Sequence, residues 1–258
     1  STNYDGNGYN TGLGYAVGYH NVLGVSNTYL GGQAGLNATG SYNTFVGAEA
    51  GKGGTTSAPY SSGQENTAMG YLALKNFTTG GSNTAIGRKA LEDVSSGGYN
   101  VAVGNEAGLN LTTGGSNVFL GISAGGNTTD VDKAVFIGAG AVTGVATSAA
   151  DGTVAIGYTA AQSLTSGAKN IAIGYEALKA LTEGYNNVAL GYQAGTSIET
   201  TTSTDNTIVG DRAGTGGSGV MTYCTAIGSG ALNGTGTRNS SMNTAIGVNS
   251  MGGAFGGT

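Results

Sequence analysis

The chain has 258 residues, of which 52 are Gly; only 9% are charged, the net charge is −5, and there is one Pro, one Cys, one His and no Trp. This composition excludes an ordinary globule, with its roughly 25% of charged residues, and a disordered chain rich in charge and Pro. It also excludes collagen, because Gly does not recur at every third position. The nine Lys and Arg are scattered, and no apolar run reaches the ~20 residues of a membrane span, so neither nucleic-acid binding nor membrane insertion is expected.

A single unit recurs from Asn10 to Met251: Asn, Thr or Val, a small or aromatic residue, an aliphatic residue, Gly, two variable residues, then Ala. Its anchoring glycines are Gly14, Gly31, Gly47, Gly70, Gly87, Gly104, Gly121, Gly138, Gly157, Gly174, Gly191, Gly210, Gly228 and Gly247, most often 17 residues apart. A fixed period of this length predicts an all-β, parallel β-solenoid (a β-roll) of about 14 coils, with residues 1–258 forming one repeat domain. At roughly 3.3 Å per residue the coil is thin, which accounts for an interior of Ala and Gly.

Each column carries a physical expectation. The five-residue unit Asn-Thr-Ala-Ile-Gly is expected to form a short strand, because Thr, Val and Ile favour the pleated conformation. The residue directly before the Gly is Leu, Val, Ile or Met in all fourteen copies, so it is expected to be buried, with the Thr/Val column beside it on the inner face. The intervening column would then face outward, where Tyr29, Phe45, Phe119, Phe136 and Ile208 suggest a surface covered by another subunit. The Gly suits a corner of positive φ. Four residues before the Gly stand Asn27, Asn43, Asn66, Asn83, Asn100, Asn117, Asn170, Asn187, Asn206 and Asn243, as well as Asn10. Stacked at strand spacing, they predict a structural amide ladder. After the Gly, Lys89–Glu92 and Glu176–Leu181 look locally helical, but Gly35–Gly40 does not, so at most single helical turns are expected.

The period is broken by insertions at 52–64, the longest, which holds Pro59, and at 143–152, 196–205, 215–223 and 233–242. Per-repeat insertions gather on one face, often the binding face. Neither end resembles a capping repeat, so the chain is expected to stack end to end or to be part of a longer fibre.

At this point the motif Asn83-Thr84-Ala85-Ile86-Gly87-Arg88-Lys89-Ala90 resembles the head repeats of trimeric autotransporter adhesins. With Thr-Thr-Gly-Gly-Ser-Asn between motifs, as at 78–83 and 112–117, it also resembles phage tail-fibre repeats. The resemblance covers about residues 10–251, although the adhesin repeat is shorter and its Asn lies one place further from the Gly. It implies a left-handed parallel roll, three chains side by side, and attachment to host surfaces.

Candidate chemistry is sparse. His20 has no catalytic partner nearby in the repeat, and Cys224 replaces an Asn of the ladder, so no enzyme is expected. No cofactor is expected; Asp130 and Asp132, or Asp5 beside Asn7 and Asn10, could offer Ca²⁺ alternating oxygens without the full loop pattern. The sequons at Asn37, Asn76, Asn110 and Asn127 are candidate glycosylation sites in one row, and those at Asn233 and Asn239 lie outside it. Tyr175 and Tyr192 are candidate contacts for a ligand. The expected role is a structural component of an extracellular, cell-surface or virion-associated fibre, a homo-oligomer built by lateral trimerisation or end-to-end stacking. The alternatives are an adhesin head that binds a cell-surface glycan or protein and, further off, an ice-binding protein with a flat Thr array.

Overall fold

A computed structural model describes residues 8–198, 203–215, 219–234 and 239–252. The Asp5 and Asn7 candidates lie outside the described residues, as do both ends of the chain. The fold is all-β, a parallel β-solenoid of 17-residue coils, and the chain divides into two compact units, Ser1–Asp132 and Lys133–Thr258.

In the first unit, three-residue strands lie at β1 Thr11–Leu13, β2 Thr28–Leu30, β3 Thr44–Val46, β4 Thr67–Met69, β5 Thr84–Ile86, β6 Val101–Val103 and β7 Val118–Leu120. Each pairs in parallel with the next, equivalent columns in register, so that Thr84 opposes Val101 and Ile86 opposes Val103. The second unit repeats the arrangement with β8 Val135–Ile137, β9 Val154–Ile156, β10 Ile171–Ile173, β11 Val188–Leu190, β12 Thr207–Val209, β14 Thr225–Ile227 and β16 Thr244–Ile246. The late insertions add a small second sheet, β13 Met221–Thr222 with β15 Ser240–Ser241. Among the described residues a 3₁₀ turn occupies Ser148–Ala150, in the insertion at 143–152.

The strand faces are the reverse of the expectation. The middle column is buried from Tyr29 to Ala245, whereas no member of the Thr/Val column or of the aliphatic column is buried. Leu13, Leu30, Met69 and Ile246 remain 71%, 43%, 48% and 67% exposed. The cause is the thinness of the coil: the inward position has room for Ala, or for one aromatic ring where the opposite wall recedes. That wall is the residue four after the Gly. Where the strand contributes Ala68, Ala85, Ala172 or Ala226, the wall contributes Leu74, Leu91, Leu178 or Leu232, all buried. Where the strand contributes Tyr29, Phe45, Phe119 or Ile208, the wall contributes Gly35, Gly51, Gly125 or Gly214. A Cβ on Gly35 would stand 2.8 Å from the Tyr29 ring, and one on Gly108 would stand 2.7 Å from Phe119. In these coils large and small residues alternate across the core to keep it at crystal-like density. Where both are small, as at Ala102 and Gly108, Leu91 and Phe119 of the adjacent coils fill the space, and Phe136 with Val142 departs from the pattern.

The locally helical stretches are not helices. Residues two and four after the Gly take positive φ, as at Glu176 (56°) and Leu178 (50°), Lys89 (59°) and Leu91 (50°). This left-handed conformation costs an L-residue ~1–2 kcal/mol. It persists because alternate amides bond to adjacent coils: Glu176 N donates to Tyr158 O at 2.9 Å, and Leu178 N donates to Ala194 O at 3.0 Å. An α-helix would forfeit both. Hydrogen bonding between coils therefore overrides helix propensity.

Candidate functional site

The Asn column runs down one inner corner, buried from Asn27 to Asn206 wherever Asn occupies it. Asn27, Asn43, Asn66, Asn83, Asn100, Asn170 and Asn187 each accept, through Oδ1, the backbone N–H of the next Asn of the column at 2.8–3.3 Å. Each Nδ2 reaches the carbonyl three residues before that next member: Asn27 donates to Gly40, Asn83 to Gly97 and Asn117 to Val131. Direct amide-to-amide bonds join a subset, Asn83 to Asn66, Asn100 to Asn83, Asn117 to Asn100, Asn187 to Asn170 and Asn206 to Asn187. Asn243 is half-buried and donates to Ser240 Oγ. The column thus fastens the corner of one coil to the turn of the next.

Cys224 is buried in this column. Its N–H donates to Asn206 Oδ1 at 3.0 Å, and its thiol points at the carbonyls of Thr222 and Ser240, both at 3.4 Å. Thr153, another substitute in the column, buries its hydroxyl without a hydrogen-bond partner.

Asn100→Ala would orphan the Asn117 N–H and the Gly114 carbonyl, at about 1–3 kcal/mol each. Asn100→Asp keeps the acceptor for Asn117 N but buries a carboxylate oxygen against two other acceptors, Gly114 O and Asn83 Oδ1. Both variants are expected to unfold at lower urea than the wild type. Equal stability of Asn100→Ala and wild type would deny the column a structural role.

The other candidates separate. Asn37 is 3% exposed and its Nδ2, the nitrogen that would carry a glycan, donates to Gly53 O at 3.1 Å inside the fold. Asn76 and Asn110 are half-buried and Asn127 is exposed; Asn76 bonds to Asp93, and Asn110 to Asn127. Asp132 accepts from Gly115 N, and Asp130 from Thr129 Oγ1. Among the described residues no group of three His, Cys, Asp or Glu is placed to hold a metal ion, and no helix is long and apolar enough to cross a membrane.

Two aromatic arrangements emerge that the repeat alone did not specify. Tyr158, Tyr175 and Tyr192 stack at 5.3 and 5.1 Å, and the Arg212 guanidinium lies 5.5 Å from the Tyr192 ring. Both faces of Tyr175 are covered, so its edge and hydroxyl are what solvent meets. Hydrogen bonds from Lys179 and Gln193 hold the Glu176 carboxyl below its usual range; the same carboxylate raises Lys179, and its negative charge raises the Tyr175 phenol. In the first unit His20 lies flat against Tyr60 at 4.1 Å, with Tyr19 edge-on at 4.8 Å.

The third surface is the outward face of the sheet. It carries two uncharged columns, Thr/Val and aliphatic, at the ~4.8 Å spacing of parallel strands. Strand propensity explains Val and Ile at an exposed position, but not Leu13, Leu30, Leu120, Leu190 and Met69.

The chain matches no protein-family model, no curated protein and no solved structure.

Proposed function

We propose that the chain is a structural component of an extracellular or virion-associated fibre, in which solenoids associate side by side through the outward face of the sheet. The observation that carries this reading is the aliphatic column. It admits only Leu, Val, Ile and Met in fourteen copies, yet it faces out of the coil. A contiguous exposed apolar strip of this kind marks an interaction surface. A second copy suits it because both strips have the same pitch, so within each unit one register brings successive coils into contact together.

The test is sedimentation and electron microscopy of the full chain at micromolar concentration, without crosslinker. Discrete multichain rods are expected. The variant Ile86→Glu/Ile173→Glu places two charges on half-exposed positions and is expected to give folded monomers, as judged by circular dichroism. A wild-type chain that is already monomeric would refute lateral association. Filaments that survive the double substitution would mean end-to-end stacking instead.

One observation favours a second reading. The Thr column faces outward, and Thr11, Thr28, Thr44, Thr67 and Thr84 form an unbroken row in the first unit. A flat, regular Thr row beside an aliphatic row is also what an ice-binding surface needs. Thermal hysteresis in the monomeric fraction would favour ice binding over a fibre; its absence removes that reading.

A further inference from the structure

The longest insertion builds a cleft on the first unit, away from the sheet face. Residues 55–60 rise from the coil that follows Gly47, and Tyr60 stacks on His20, two coils earlier. Between this arm and the body lies a cleft of about 590 Å³. Its floor crosses four successive coils at Leu23, Thr39, Ser62 and Thr78, a length of about 14 Å at parallel-strand spacing.

We propose that this cleft binds a short, linear, neutral oligosaccharide. Its volume falls in the range of small-ligand sites, about 300–1,000 Å³. No Asp, Glu, Lys or Arg lines it, and its one titratable side chain besides Tyr60 is His20, stacked on Tyr60; a lining without Lys or Arg argues against phosphate, sulfate or uronate ligands. The lining combines apolar plates, Leu23 and Pro59 among them, with hydroxyls of both polarities. Thr39 Oγ1 and Thr78 Oγ1 donate inward, to Ser61 O at 3.1 Å and Ser95 O at 3.0 Å, leaving lone pairs to accept from a ligand. Thr55 Oγ1 is paired with Ser61 Oγ at 3.5 Å as acceptor, which leaves its proton to donate. A pyranose has the matching chemistry: an apolar C–H face and a rim of hydroxyls that both donate and accept.

An extended peptide fits less well, because it needs an unpaired backbone edge. Here the floor amides are already used: Thr39 N donates to Ser61 O, and Ser62 N to Thr78 O, both at 2.7 Å. The coil repeat sets hydroxyls ~4.8 Å apart along the floor, close to the length of one sugar in an extended chain.

The experiment is titration of the full chain, by calorimetry and saturation-transfer NMR, with maltotetraose, cellotetraose and mannotetraose, and with tetragalacturonate as the charged comparison. At least one neutral tetrasaccharide is expected to bind at one site with a Kd of ~1 mM or tighter, and tetragalacturonate at least about tenfold more weakly. Leu23→Asp alters a side chain that is 84% exposed, so folding is unaffected, and binding should weaken at least about tenfold. Tyr60→Ala, which removes the anchor of the arm, should do the same, and Tyr99→Ala, at an exposed side chain outside the cleft, should leave binding unchanged. Failure of all three neutral sugars, equal binding of tetragalacturonate, or indifference to both cleft variants would each overturn the proposal. These outcomes do not depend on the oligomeric state of the chain.

Discussion

Phe45→Ala is expected to destabilise the first unit by about 3–5 kcal/mol, the usual cost of deleting a buried Phe. Phe45 is fully buried and packs against Tyr29 at 5.4 Å and Phe77 at 5.6 Å between ring centroids. Gly51→Leu is also expected to destabilise, because a Cβ there runs into the Phe45 ring. The double variant Phe45→Ala/Gly51→Leu should recover most of the loss. It converts the Phe45/Gly51 coil into the Ala68/Leu74 pattern that the next coil already uses. Backbone conformation does not forbid it, since Gly51 has φ 52° and Leu74 also has φ 52°. A double-mutant cycle by urea denaturation should therefore give a coupling of several kcal/mol, at or above the ~0.5–3 kcal/mol range typical of residues in contact. If the two losses simply add, the strand and wall columns do not share one space.

The same pair of columns marks where sequence reasoning stopped short. The period, the parallel stacking, the Asn corner and the Gly anchor all follow from which residues recur at which spacing. Alternation along a strand separates two faces but does not say which is inside. An invariant aliphatic column was the natural candidate for the interior, and it lies outside. The sequence did hold the opposite signal, in the reciprocal sizes six residues apart: Tyr29 with Gly35, Phe45 with Gly51, Ala68 with Leu74, Ala172 with Leu178. Positions that trade volume in this way face each other across a core. The non-helical character of Glu176–Leu181 was recoverable on similar grounds. Gly35, Gly51, Gly108, Gly125, Gly195 and Gly214 fill the column of Leu178, and a column that admits so many Gly marks a left-handed backbone in every coil. The cleft was not recoverable. It depends on Tyr60 folding back two coils onto His20, and neither residue belongs to a repeated column.

The anchoring glycines offer the other large effect, and three of them separate its causes. Gly104 has φ 142°, a conformation open essentially to Gly alone and costing other residues ~1–3 kcal/mol. A Cβ there would also stand 2.5 Å from the carbonyl oxygen of Gly121 in the next coil. Backbone bonded in register cannot move aside, so Gly104→Ala combines strain with a forced separation of two coils and is expected to cost more than ~4 kcal/mol. Gly247 has φ 116° but, among the described residues, nothing within 4 Å of its Cβ position, so Gly247→Ala should show the strain alone. Gly32 has neither, and Gly32→Ala should fall within about 0.5 kcal/mol of wild type. Hydrogen exchange read coil by coil suits this series, because in a solenoid each repeat leans only on its neighbours. Protection should collapse around the coils of Gly87, Gly104 and Gly121 in Gly104→Ala, and stay unchanged throughout in Gly32→Ala. Equal and small losses in all three would mean that the column is Gly for flexibility of the chain rather than for the approach of one coil to the next.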